Sequence, residues 1–193
     1  MKYLIISLLL ICCLGLYAND FNRLSFTQEN LTFRLGKKIW KVDGDYWFTN
    51  ATDKPVTQKM YFPIPEDTYI MPAEEIELKL KKPLKGQSCK MLSVSEKGFW
   101  FEVTLPAKTI AVCNIKYQQK LLGWVAKYVL LTANSWGSPL EYAKYTLIMP
   151  SSFKAAKLSH RNAKVKQKWN KLYYTWEYTN YQPKTDFEVE FKY

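Results

Sequence analysis

The sequence predicts an all-β protein, an antiparallel two-sheet sandwich of immunoglobulin-like or larger size, behind an N-terminal signal peptide. Three observations carry this. After Asn30 nearly every stretch alternates apolar and polar residues in short segments. Turn-forming residues bound those segments. No segment keeps helical spacing over three turns, which argues against βαβ units and for a sandwich or barrel. With 48% hydrophobic residues, 10 Phe, 14 Tyr and 7 Trp in 193 residues, the chain can bury enough apolar surface to exclude intrinsic disorder.

The first element is the signal peptide, residues 1–18. Met1-Lys2 supplies a positive end, Tyr3 to Leu16 is mostly apolar, and Ala18 precedes polar Asn19-Asp20. The apolar run is shorter than the ~20 residues of a spanning helix, so a permanent anchor is the weaker alternative. A lipoprotein site at Cys12 or Cys13 would need a small residue before the cysteine, where Ile11 or Cys12 stands instead. Cleavage leaves residues 19–193 as one sandwich domain, exported to the periplasm or the extracellular space, with no transmembrane anchor. A split near Pro150-Ser151-Ser152 is the alternative.

Strands are predicted over 31–35, 39–49, 56–62, 75–81, 89–94, 99–105 and 110–118, and then over 126–132, 142–149, 155–158, 164–169, 172–178 and 187–193. Between them, Asn50 to Pro55 holds residues that bond their own backbone or pre-set φ. Ser95-Glu-Lys-Gly98 ends in a glycine able to take positive φ, and Asn170-Lys171 suits a tight hairpin because Asn tolerates positive φ. Pro106 cannot donate in a ladder, so the chain is expected to arch from one sheet to the other across Leu105 to Thr109.

Two cysteines remain after cleavage, Cys89 and Cys113, and export makes a disulfide between them the expected state. In a simple meander they would lie two strands apart, about 10 Å at ~4.8 Å per strand. That exceeds the ~7 Å Cα limit, so a bridge requires the arch and would staple the sheets. The alternative is a pair of buried thiols packing as small hydrophobes.

Two stretches together carry a resemblance. Val42 to Pro65 runs through Phe-Thr-Asn, a polar turn and a strand closing on Phe-Pro-Ile-Pro. Tyr128 to Leu147 contains Thr-Ala-x-x-Trp-x-x-Pro-Leu followed by an alternating strand. The pairing resembles a family of bacterial exported β-sandwich domains catalogued as a domain of unknown function. The resemblance spans about Ile39 to Pro150, with an ending from Tyr181 to Phe191 like the last edge of such domains, and it implies fold and export. No catalytic residues carry over.

Function is constrained by what is scarce. A single His leaves no His-rich metal cluster and one candidate imidazole base, so no metal and no cofactor are expected. His160 stands in a sequence expected to turn, Ser159-His160-Arg161, where exposure is expected. Glu66, Asp67, Glu74, Glu75 and Glu77 are expected to be solvated rather than flanking a glycosidase cleft. Asn30-Leu-Thr32 and Asn50-Ala-Thr52 match the glycosylation pattern, which matters mainly in a eukaryotic secretory route.

The formal charge is +11. It concentrates in one segment, where Lys164, Lys166 and Lys168 alternate on one strand face beside Trp169, with Tyr173, Tyr174, Trp176 and Tyr178 following. Such a face would meet an acidic glycan or another anionic partner, or simply deter edge-to-edge aggregation. Export argues against nucleic acid. Trp136, beside a turn, would either stack on a ligand or fold back over the sandwich end. The expected function is thus a non-catalytic exported protein that binds a protein or other partner in the envelope. The alternative is a carbohydrate-binding module using Lys164, Lys166, Lys168 and Trp169, and an enzyme is the least supported class.

Overall fold

The alternation in the sequence becomes thirteen strands in the computed structural model, which describes residues 23–192. The signal-peptide reading falls outside the described residues. β1 (Ser25–Leu35) and β2 (Ile39–Asn50) form a hairpin in a large sheet. β3 (Val56–Pro63) crosses to a small sheet, β4 (Ile70–Lys81) lies in the large one, and β5 (Ser88–Ser95) and β6 (Gly98–Leu105) complete the small sheet. β7 (Thr109–Leu121) belongs to the large sheet, and β8 (Val125–Tyr128) to a second small sheet. A 3-10 helix (Leu131–Trp136) leads to β9 (Leu140–Pro150) in the large sheet. β10 (Lys154–Leu158) joins the second small sheet, β11 (Lys164–Lys168) and β12 (Lys171–Tyr181) form a hairpin in the large one, and β13 (Phe187–Lys192) ends in the second small sheet.

The large sheet runs β11-β12-β9-β1-β2-β7-β4, and the small sheets run β3-β6-β5 and β10-β13-β8. Period-two alternation decides how they stack. On β2, Trp40, Val42, Tyr46 and Phe48 all point inward. Trp40 and Phe33 meet Phe187 of β13, with the Phe33 and Phe187 rings 4.4 Å apart, while Tyr46 and Phe48 meet Phe62 of β3 and Phe101 of β6. Both small sheets therefore cover the same face of the large sheet, giving two layers as expected. The segment after Pro150 shares this core, because β12 pairs with β9 and β13 packs on β1 and β2.

Four details differ from the sequence expectation. One layer is split into two sheets, whose edge strands β3 and β8 face each other. The pairing of β1 with β9 is parallel, because the chain passes through β8 and the 3-10 helix in the opposite layer before it returns. The strand expected over 126–132 stops at Tyr128: the Leu130 and Leu131 amides both donate to Asp186 Oδ1, at 2.9 and 3.0 Å, which draws the chain out of the ladder. In the β11–β12 turn, Trp169 rather than Asn170 takes positive φ, at 57°.

The arch after β6 is present and is tied down by Asn50. This side chain is fully buried, and its Nδ2 donates to the carbonyls of Lys54, Leu105 and Pro106 at 2.8, 3.1 and 2.9 Å. Its Oδ1 accepts from the Thr52 amide and hydroxyl. Engaged in this way, Asn50 is closed to glycosylation as the protein is folded. Asn50→Ala removes all five bonds and leaves buried carbonyls unmatched, so urea unfolding should show a loss of about 2–3 kcal/mol. The arch also sets Cys89 on β5 across the layers from Cys113 on β7. The two sulfurs are free thiols 2.8 Å apart, where the bridge was expected to form.

Candidate functional site

Because β3 and β8 are edges that do not pair with each other, a cleft of 1330 Å³ opens between the small sheets. Its walls come from β3 with the turn at residues 51–54 and from β8 with the 3-10 helix. Its floor is β1 and β2 of the large sheet. The walls mix the rings of Tyr61, Phe62, Tyr128 and Trp136 with aliphatic and polar side chains such as Leu130, Gln58 and Thr132. Trp136 packs on Phe26 and Phe48, with ring centroids 5.8 and 5.6 Å away, and lines the cleft near Ala133.

The floor is polar. The Tyr46 and Tyr128 hydroxyls share a hydrogen bond of 2.7 Å, which uses one of their two protons. Beside them is Glu29, only 3% exposed. Glu29 keeps the period-two phase of Leu31, Phe33 and Leu35 on the inward face, and a bulge between Phe26 and Gln28 shifts the parity so that Phe26 faces inward beside it. Tyr145 of β9 donates its hydroxyl to Oε1 of Glu29. Among the described residues no cation pairs with Glu29, and burial pushes its carboxyl up to about 7, partly offset by the Tyr145 bond. Burial also raises the Tyr46 and Tyr128 hydroxyls, with the neighbouring Glu29 charge adding to the effect.

Behind Glu29 the polar interior continues. The Tyr145 ring lies edge-on to His160, with centroids 5.9 Å apart. His160 Nε2 bonds the Tyr181 hydroxyl at 3.1 Å, and Nδ1 bonds Ser159 Oγ at 2.9 Å. His160 is therefore buried, not exposed as the sequence suggested, and burial lowers its pKa. The turn places it beneath the sheet, packed on Phe187 and Trp176.

The lysine segment lies elsewhere. Lys164, Lys166 and Lys168 pair with Thr175, Tyr173 and Lys171, on the face of the large sheet opposite the core, away from the cleft. Trp169 stands at the hairpin tip, 86% exposed. The rings expected beside the lysines divide between two faces: Tyr173 accompanies them, whereas Trp176 is core and Tyr174 and Tyr178 pack inward. Of the candidate residues, only Trp136 reaches the cleft. Glu74, Glu77 and Asp67 pair with Lys120, Lys79 and Lys127 at the surface and flank no cleft. Sequence reasoning missed Glu29, although its signal was present: a carboxylate in the apolar phase of a strand whose start was read six residues late.

No family profile matches the chain, and no curated protein matches it in sequence. Among solved structures, the fold is similar to that of a candidate nutrient-binding protein from Legionella pneumophila, at 12% identity and a TM-score of 0.66. That match covers 87% of this chain and 66% of the other, so the chain spans about two thirds of that protein's length. An M1 zinc metallopeptidase from Deinococcus radiodurans gives a TM-score of 0.48 at 12% identity, over 86% of this chain and 42% of the peptidase. The likeness to the Legionella protein shows the fold class alone, an all-β sandwich.

Proposed function

We propose that this is an exported, non-catalytic binding protein whose ligand occupies the cleft between the two small sheets. The carrying observation is the cleft itself: 1330 Å³, rings of Phe26, Phe48, Phe62 and Trp136 in its lining, and convergent polar groups at the floor, a composition that suits a small-molecule site. The signal-peptide pattern and the resemblance of the Phe-Pro-Ile-Pro and Thr-Ala-x-x-Trp-x-x-Pro-Leu stretches support export. The Legionella protein's description agrees with a binding role.

The test is native mass spectrometry of the mature protein isolated from its own cells. A small molecule should co-purify and should be lost in Ala133→Trp, which fills the cleft beside Trp136. Turnover of envelope polysaccharide or peptide, abolished by a Glu or His substitution, would contradict the non-catalytic reading.

A second reading rests on Lys164, Lys166 and Lys168 sharing one outer face beside exposed Trp169. It takes that face as a site for an acidic glycan or acidic protein. Binding there should weaken with salt and with Lys166→Glu, and absence of retention on any acidic glycan would remove it.

Export also bears on the cysteines. Two thiols facing each other in an oxidising compartment should lose two protons and two electrons to its oxidant, so the unreduced mature chain should weigh two hydrogens less than the reduced one. The bridge would stabilise by about 3 kcal/mol. Equal masses would remove it.

A further inference from the structure

We propose that the cleft takes an organic cation, an amine or quaternary ammonium on an apolar body, with its charged end against Glu29 and its body among Phe26, Phe48 and Trp136. The inference rests on the cleft being the ligand site and adds the charge of the ligand.

A carboxyl buried in a protein is ordinarily matched by a cation or by a full set of donors. Glu29 has neither: Oε1 accepts from Tyr145, Oε2 has no hydrogen-bond partner among the described residues, and the residue lines the cleft. The groups that face it are phenols, which are neutral or negative: Tyr46 on β2, Tyr128 on β8, Tyr145 on β9 and Tyr181 on β12. Behind Tyr145 lies His160, whose burial disfavours its charged form. Around Glu29 the described residues therefore present oxygen atoms and π faces, and both attract a cation.

Among the described residues, the basic residues lining the cleft are Arg23, Lys54 and Lys59, all exposed, and Lys59 Nζ turns toward the Trp100 ring, 4.9 Å from its centroid. They would meet the outer end of the ligand, which is accordingly neutral or anionic. An anionic head at the floor would have to displace the proton balance of Glu29 and face its charge. A cation instead completes it, and so binds better as Glu29 ionises.

The experiment uses the mature protein and three probes that share a phenyl group: benzyltrimethylammonium, 3-phenylpropanol and 3-phenylpropionate. Calorimetry should show binding of the permanently charged cation, rising about tenfold from pH 6 to pH 8 as the carboxyl ionises around 7. Glu29→Gln should weaken it ten- to a hundredfold and flatten that pH dependence. Equal binding of propanol and cation, or an unchanged affinity in the Gln variant, would overturn the charge assignment while Ala133→Trp still reports on the cleft. No binding of the cation at either pH would overturn it as well. The co-purified ligand lost in Ala133→Trp judges the cleft separately.

Discussion

Glu29→Gln should stabilise the protein by about 3 kcal/mol at pH 8 and leave it nearly unchanged at pH 4. Burial holds this carboxyl up to about 7, against an ordinary 4.5 in the unfolded chain. Below 4.5 both states carry the proton, so the folded protein has no penalty. Between 4.5 and 7 the unfolded chain ionises first, and the stability associated with a protonated Glu29 is lost progressively as pH rises through the folded value. About 2.5 pH units at 1.36 kcal/mol each gives the figure. His160 contributes an opposite slope, because burial lowers its pKa and the unfolded chain gains protons first as pH falls. Subtracting the variant's urea-unfolding profile from that of the native protein cancels His160 and leaves Glu29. Parallel profiles would mean that Glu29 is not held in its neutral form. A residue that costs stability at neutral pH while lining a cleft fits the usual conflict between stability and binding.

Phe33→Ala is expected to remove about 3–5 kcal/mol, as large as any single core truncation here. The ring is fully buried, stacks on Trp40 at 5.1 Å and on Phe187 at 4.4 Å, and reaches Tyr128 at 5.3 Å. It joins the large sheet to the second small sheet, so its loss leaves a cavity that rigid aromatic neighbours cannot close. Tyr128 also supplies one wall of the cleft. The variant should therefore lose ligand as well as stability, whereas a truncation on the outer face, such as Tyr173→Ala, should do neither. Denaturant midpoints with ligand retention measure both effects.

Much of the fold was legible because period-two alternation is a local signal. Each predicted strand from Leu31 onward has a counterpart, and Pro106 marked the crossing between layers correctly. The misses arose where long-range contacts override local preference. Asp186, more than fifty residues away, caps the Leu130 and Leu131 amides and ends β8 early. His160 looked like a surface turn because the stretch around it is polar, yet Tyr181 and Phe187 close over it. The split of one layer into two sheets has no local signal at all, since β3 and β8 are far apart in sequence, and the cleft exists only because their edges stay unpaired. Glu29 was the exception. Its phase with Leu31, Phe33 and Leu35 could have been read once the strand was extended to Ser25. The alternating lysines were placed on one face correctly, but no local pattern shows that this face lies opposite the cleft.

An amide and indole NMR titration of the mature protein with a small-molecule extract of its native envelope distinguishes the cleft from the lysine face as the ligand site. Shifts are expected at Phe26, Glu29, Phe48, Ala133 and the Trp136 indole, with Lys164 to Trp169 unmoved. Shifts confined to the β11–β12 hairpin, with the cleft resonances unchanged, would contradict binding in the cleft.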